Sequence, residues 1–501
     1  MARKKKTEHN DLHPMHPRRV LAEWRAQKPV PGDMGPEPEH HARVYRRDFW
    51  GPDKLELLKR ATWRRGRPPS NEGVPAYVEI KPDLANDYAF VYPSGNKAYA
   101  GWAKLDEIFA QGFPGVKTSR DDALVGIDRE DIARRMRIYL DPNQTDEQVA
   151  KIVPSLMTSA KHFDSTKVRR ELLARGESVD GHIVRYSYRP FDLRWLYWTD
   201  DSKLLDGRRA EYVPHVFDGN VWIEAREKQI KEDFDRGYVT TALGDNFGNG
   251  LSTFFGLYRR VQLLGQAAGS EPNIGVAGRR YLAEVDAPFE DAFHHCVAIL
   301  NSSAYRVENA TALRLDWPRV PLPKSRKVLS ESAALGRRLA ALLDPTRTVN
   351  GDALVSNYGI ARFVEGARGG DAEPGVAVRA NWGYLDARGA TMAGRGDARP
   401  RDATDAERKA LGPALDLLGP GMRDVYLDER AHIAGVPEKV WTYTLGGYLV
   451  LKKWLSYRER AVLGRNLRVE EVEAFCDIAR RIAAILALGP DLDRAYKAAK
   501  D

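Results

Sequence analysis

The sequence predicts a mixed α/β (α+β) protein with a helical C-terminal lobe and recognition surfaces carried on loops. Three observations predict it. Val184–Trp198 is dense in β-branched and aromatic residues, the composition of strands that bury one face. Asp128–Leu140, Ser330–Leu343 and Val469–Leu488 carry apolar residues at helical spacing. No segment repeats at a fixed period, which argues against a solenoid or propeller.

Residues 1–38 are rich in Pro, His and Lys/Arg without apolar periodicity and read as a disordered or loosely attached leader. Residues 1–67 hold 17 Lys and Arg against 9 Asp and Glu, so the net charge of +8 resides there. Such a tail favours polyanions but is equally a solvated leader, so charge alone does not make this a nucleic-acid-binding protein. Order is expected from Ala42. Arg43–Arg47 alternates like a strand, Asp53–Lys59 has helical spacing, and Val74–Lys81 and Asp87–Val91 read as short strands. Leu105–Gln111 is a short helix closed by Gly112, and the helix at Asp128–Leu140 stops before Pro142.

Strand and loop texture continues from Val184 to about Leu282. Pro288–Leu300 reads as a helix with proline at its first position, leading into an Asn301-Ser302-Ser303 turn. Residues 345–405 are dense in Gly, Asp and Arg, and Asp386–Arg401 is expected to be a linker or long flexible loop. A final block holds a strand at Val425–Ile433, an aromatic Gly-Gly segment and the last helix. The expected divisions are 1–38, 39–125, 126–345, a Gly-rich linker region 346–405, and a C-terminal lobe 406–501.

No run approaches the ~20 apolar residues that span a bilayer, and no apolar stretch follows Met-Ala-Arg-Lys-Lys-Lys as a secretory signal requires. Cys296 and Cys476 are the only cysteines, without ligand spacing to a histidine. A disulfide framework is excluded, no metal site is expected, and a reducing, cytoplasmic location follows.

Catalytic motifs are sparse. An amino-methyltransferase holds its flipped base with an Asn/Asp-Pro-Pro-aromatic loop; Arg67-Pro68-Pro69-Ser70 has the prolines with the wrong flanks. Gly244-Asp-Asn-Phe-Gly-Asn-Gly250 is Gly-rich, but no acidic residue follows at the end of a second strand, and a surface turn is the better reading. No phosphate-cradling Gly-x4-Gly-Lys-Ser/Thr occurs. Asp53 with Glu79 and Lys81 spells the acidic–acidic–Lys order of metal-dependent nucleases, a short pattern that is common by chance.

Aromatic and basic residues interleave most densely at Arg185-Tyr-Ser-Tyr-Arg-Pro-Phe-Asp-Leu-Arg-Trp-Leu-Tyr-Trp198, followed by Lys203 and Arg208-Arg209. Arginine can read guanine edges or clamp phosphate, and Tyr and Trp supply rigid contact area. Alternation along a strand also requires one face to be core, which is expected for Phe191, Leu193, Leu196 and one or two Tyr/Trp residues. Asp192 is expected to pair with a neighbouring arginine.

Tyr186-Ser-Tyr188-Arg189-Pro190-Phe191-Asp192-x-Arg194-Trp195-x-Tyr197 resembles the Tyr-Arg-Pro-Phe-Asp segment of type ISP restriction–modification enzymes and some related single-chain type II enzymes. Further blocks follow in the family's order: Trp102-Ala-Lys-Leu105-Asp-Glu-Ile108-Phe109 with Gly115-Val-Lys-Thr118-Ser-Arg120-Asp121; Ile299-Leu-Asn-Ser-Ser-Ala-Tyr305-Arg306 with Trp317-Pro318-Arg319-Val320-Pro321; Ile433-Ala-Gly-Val436-Pro437-x-x-Val440-Trp441; and Tyr443-Thr-Leu-Gly446-Gly447-Tyr448, Trp454-Leu455 and Arg458. Arg43–Leu58 is similar to the last strand and helix of a methyltransferase fold, so the resemblance makes 39–125 that domain's closing part and 126–345 a target-recognition domain.

In this family one long chain carries nuclease, helicase-like translocase, adenine-N6 methyltransferase and recognition domain. The catalytic positions have no counterpart in this sequence, so the resemblance implies no catalysis by this chain alone. It implies instead a subunit for sequence-specific duplex DNA recognition in a restriction-type phage-defence system. S-adenosylmethionine and the base pocket would lie on a separate methyltransferase chain, with a helicase or nuclease component as a further partner. A split system, a truncated remnant and a reused recognition protein all fit. The rival readings are an atypical methyltransferase or Mg-dependent nuclease, and a scaffold without DNA affinity. Candidate DNA contacts are Lys117, Thr118, Arg120, Arg185, Tyr188, Arg189, Arg194, Arg208, Arg209, Tyr258, Arg259, Arg260, Lys324, Arg326, Lys452, Lys453 and Arg458.

Overall fold

A computed structural model of the chain describes residues 21–26, 44–49, 53–62, 69–80, 98–200, 203–228, 237–248, 250–261, 269–349, 351–366, 374–387 and 389–501. The chain divides into two compact units, Met1–Gly101 and Trp102–Asp501. The division falls before the boundary expected at 125, because Phe113–Pro114 and Val125–Gly126 pair with strands of the second unit.

In the first unit, Leu21–Ala26, Val44–Phe49 and Val78–Ile80 form an antiparallel sheet in that order. Leu21–Ala26 lies within the segment expected to be a loose leader; six alternating residues carry little signal until a partner strand completes their hydrogen bonds. The helix Lys54–Ala61 begins after Asp53. The strand expected over Val74–Lys81 is confined among the described residues to Val78–Ile80, while Lys81 and Asp87–Val91 lie outside them.

Two of the second unit's four-stranded sheets share a core. One runs Tyr238–Thr240, Trp222–Ala225, Thr253–Gly256 and Phe113–Pro114; the other runs Leu243–Gly244, Ile183–Arg189, Asp192–Tyr197 and Val125–Gly126. Tyr212 stacks on Phe113 and Phe254 and meets Trp222 edge-on at 4.7 Å, an arrangement aromatic quadrupoles favour. Phe191, Leu196, Tyr186, Tyr188 and Tyr197 are buried, while Leu193 is only half-buried; consecutive Leu196 and Tyr197 are both covered, so the hairpin is buried on both faces there rather than on one.

The helices Phe289–Asn301 and Arg326–Leu343 cross at a glycine: a Cβ on Gly336 would lie 1.8 Å from the backbone oxygen of His294. Gly489–Lys500 packs against both. Among the described residues no helix is long and apolar enough to cross a membrane.

Two expectations about the C-terminal half are corrected. Asp386–Arg401 is not a linker. It contains the strand Thr391–Ala393, paired with Gly383–Leu385, and most of Ala398–Asp402. The strand expected at Val425–Ile433 is a hairpin of Gly421–Tyr426 and Ala431–Pro437, because the Asp428 side chain accepts from the amides of Arg430 and Ala431 and turns the chain. With Arg362–Glu365 and Ala398–Asp402 these strands make one antiparallel sheet, which joins the largely helical lobe to the residues before the boundary expected at 405.

Candidate nucleic-acid interface

The densest aromatic–basic segment folds as a hairpin whose turn is Pro190-Phe191. Proline presets the first turn position, and Phe191 takes a left-handed φ of 61°, the conformation of a type II turn's second position. A non-glycine residue in that region is uncommon. Here the Tyr238 hydroxyl accepts from the Phe191 amide at 2.9 Å and the two rings pack edge to face.

The following aspartate sits at the centre of an interior ion triad. Asp192 Oδ2 accepts from Arg194 Nε at 3.0 Å and Nη2 at 2.6 Å, and Oδ1 accepts from Arg458 Nη2 at 2.9 Å. Arg458 lies over Trp454 at 3.5 Å, and Arg194 lies between Tyr188 at 4.1 Å and Tyr457 at 4.0 Å. Burial alone would raise the Asp192 carboxyl, but the two guanidiniums outweigh it and hold it well below the usual carboxylate range. The Tyr-Arg-Pro-Phe-Asp block and the C-terminal Trp-Leu…Arg block are thereby one interior joint.

A second node lies beside it. Asp245 accepts from the Tyr186 hydroxyl at 2.5 Å and from Arg189 Nη1 at 3.0 Å. Burial raises its pKa to about 6, against the opposing pull of Arg189 and Tyr186. Tyr188 donates to Asp121 Oδ2 at 2.8 Å, and the Thr118 hydroxyl donates to the other Asp121 oxygen.

These placements correct part of the candidate set. Arg120 and Arg458 are buried and turned inward, and Thr118, Tyr188 and Arg194, also buried, lie in the wall of a cleft with their polar groups bonded within the protein, so none of the five is a free cationic or polar contact for DNA. Arg189 is half-buried, paired with Asp245 and laid over Tyr188 at 4.0 Å. Arg120 pins a loop instead: its Nε donates to the Leu204 carbonyl at 2.8 Å and its guanidinium lies 3.8 Å from the centre of the Phe163 ring.

That pinned loop is basic and outward-facing. Lys117 and Gly207 exchange two backbone hydrogen bonds at 2.9 Å, bringing Lys117 beside Arg208 and Arg209. Lys203 and Arg208 are exposed; Arg209 donates from Nε to the Gly115 carbonyl at 3.2 Å. Asp206 offsets part of the charge, 3.7 Å from Lys117 and 3.4 Å from Arg120. Arg185 is exposed, with its guanidinium 4.7 Å from the Trp195 ring.

The remaining candidates are dispersed. Tyr258 is bonded to Glu290, Arg259 is paired with Glu271 at 2.6 Å, and Arg260 lies over Phe217 at 4.1 Å. Lys324 and Arg326 are exposed, Arg326 against Asp286 at 2.9 Å. Lys453 faces Tyr457 at 4.5 Å, with half-buried Lys452 beside it.

An open cleft of about 840 Å³ adjoins the basic loop, lined by Lys117, Asp121, Tyr188, Phe247, Leu385 and Tyr457. Sequence reading missed Phe247 and Leu385, which are 41% and 50% exposed. Two exposed apolar residues in Gly-rich stretches were the available signal.

Close packing accounts for two glycines of the Gly-rich turn. A Cβ on Gly244 would lie 2.0 Å from the Phe254 ring, and one on Gly248 would lie 2.7 Å from a Glu224 oxygen. Of the nuclease pattern, Asp53 precedes a helix, Glu79 lies on a strand and Lys81 is outside the described residues. Among the described residues no three His, Cys, Asp or Glu side chains form a group able to hold a metal ion.

A family model described as the Type ISP C-terminal specificity domain matches residues 107–483. No curated protein matches the chain. Several solved structures share its fold, among them three with DNA bound. A nuclease-deletion mutant of the Type ISP restriction-modification enzyme LlaGI, in complex with a DNA substrate mimic, is 16% identical, with a TM-score of 0.51 over 89% of this chain and 38% of that one. The DrdV–DNA complex is 18% identical, with a TM-score of 0.54 over 90% of this chain and 42% of that one. The ATP-dependent Type ISP restriction-modification enzyme LlaBIII bound to DNA is 14% identical, with a TM-score of 0.53 over 84% of this chain and 26% of that one. The chain thus spans well under half the length of each.

Proposed function

The chain belongs to the family of Type ISP C-terminal specificity domains, and from that membership we propose that it reads a duplex DNA sequence and presents an adenine to a methyltransferase active site on another chain. The family match over residues 107–483 carries this reading, and the DNA held in the three structures of similar fold supports it. The basic loop supplies the electrostatic footing. Lys117, Lys203, Arg208 and Arg209 are assigned to phosphates, with Arg185 as a base or phosphate contact. The dispersed Arg259, Arg260, Lys324, Arg326, Lys452 and Lys453 are secondary phosphate contacts. S-adenosylmethionine belongs to the methyltransferase chain, and a helicase or nuclease component completes the system in the cytoplasm.

Selection of the purified chain against a randomised duplex pool at near-physiological salt tests the proposal. An enriched asymmetric motif is the expected result. Lys117→Ala with Arg208→Ala should weaken all duplexes alike and lower the slope of log affinity against log salt by about two, roughly one per lost phosphate contact. No enrichment, alone or with a methyltransferase partner, would reject DNA reading and favour a scaffold.

A further inference from the structure

Resting on that reading, we propose that the two-stranded ribbon of Gly383–Leu385 and Thr391–Ala393 is the base-reading element, entering the major groove with Tyr384 and Met392 against base edges. In its antiparallel register Tyr384 stands directly opposite Met392, and Leu385 opposite Thr391. Side chains alternate between the two faces of a ribbon, so Tyr384 and Met392 share one face and Gly383 and Leu385 the other.

The Gly383 face meets the protein at the ribbon's root and opens over the cleft at Leu385, which is 50% exposed. A Cβ on Gly383 would lie 1.9 Å from the Ser456 backbone oxygen, and Leu385 and Thr391 overhang the cleft. Tyr384 and Met392 are 49% and 43% exposed. Two large apolar side chains paired across strands and held out to water are unusual on a monomer's surface and mark a contact face.

The ribbon's root is fixed. Trp382 is fully buried, its indole nitrogen donates to the Tyr426 carbonyl at 2.8 Å, and its ring meets Trp441 edge-on. Glu459, nine-tenths buried, accepts from the Trp382 amide at 2.7 Å and gathers the Asn381 and Gly383 amides as well. Rigid presentation of a reading element limits the entropy lost on binding.

Charge and size select duplex DNA, and the major groove within it. Arg379 and Arg395 flank the root; both are exposed, and neither side chain has a hydrogen-bond or ion-pair partner among the described residues. The nearby carboxylates are occupied: Asp386 closes the turn by accepting from the Ala390 amide at 2.9 Å, and Asp397 pairs with Arg399 at 2.7 Å. Strands lie ~4.8 Å apart, so with side chains a two-stranded ribbon suits the ~12 Å major groove and overfills the ~6 Å minor groove. Apolar side chains there contact thymine methyl groups.

The test compares the full chain with Tyr384→Ala/Met392→Ala and with Arg379→Ala/Arg395→Ala in the randomised-pool selection. Exposed positions should leave the melting temperature unchanged. The apolar double variant should lose base preference at one or two adjacent positions, about tenfold or more at the selected site, with little change on unrelated duplexes. The arginine pair should weaken all duplexes and lower the salt slope by about two. Tyr384→Glu, a charge at a site already open to water, is the second variant and should also lose the motif. An unaltered motif and affinity in both Tyr384 variants, beside an unaltered chain that reads DNA, overturn the ribbon and leave the specificity reading standing. An unaltered chain with no duplex binding overturns both.

Discussion

Asp192 holds a buried negative charge between two guanidiniums, one from its own strand and one from far along the chain. Replacing a buried ion network with apolar residues is often tolerated, but removing one member leaves uncompensated charge and destabilises by about 3–5 kcal/mol. Asp192→Ala strands both Arg194 and Arg458, so the unfolding free energy should fall by that order, read as a lower urea midpoint. A midpoint near that of the unaltered chain would mean that water or another carboxylate replaces it. Burial of the alternating aromatic residues was readable from the hairpin's own sequence. The fate of the arginines was not: Arg185 is exposed and Arg194 is buried within one basic–aromatic run. What separates them is Arg458, 266 residues away from Asp192, which no local spacing reveals.

At the level of elements, the long helices were legible because burying one stripe imposes a 3.6-residue period on the sequence itself. Arg326–Leu343 begins only four residues before the expected Ser330, and Val469–Ala487 ends one residue before the expected Leu488. Their contacts were less legible, since Gly336 reads as an interruption in a helix although it is where two backbones meet. Gly336→Ala would place a methyl 1.8 Å from the His294 oxygen. The helices would have to separate, so it should destabilise by about 1–3 kcal/mol despite alanine's better helix propensity. A stability gain in thermal melting would show that the crossing can relax. The Gly383–Ala393 ribbon escaped for the opposite reason: three-residue strands carry almost no periodic signal, and glycine and aspartate around them resemble a linker.

Across the whole molecule, two buried groups in different layers set opposing pH dependences. Burial raises Asp245 to about 6, from an ordinary value near 3.9. The folded state therefore binds this proton more readily than the unfolded one, and the stability it contributes at low pH is lost as pH rises from about 4 to 6. Burial lowers His295 to about 4, with the bond between its Nε2 and the Pro321 carbonyl opposing only in part. Its ring stays neutral in the fold, so its contribution is complete above an unfolded value near 6.5 and is lost as pH falls towards about 4. Between pH 4 and 6 the two terms have opposite slopes and mask each other in the unaltered chain. Asp245→Asn removes the falling term, so its stability should climb more steeply with pH across that window. His295→Gln removes the rising term and should flatten or reverse the climb. Urea midpoints at half-unit intervals from pH 4 to 7 would measure both. Parallel curves for the unaltered chain and Asp245→Asn would mean that Arg189 keeps the carboxylate ionised throughout, and that the node beside the cleft is an ordinary ion pair.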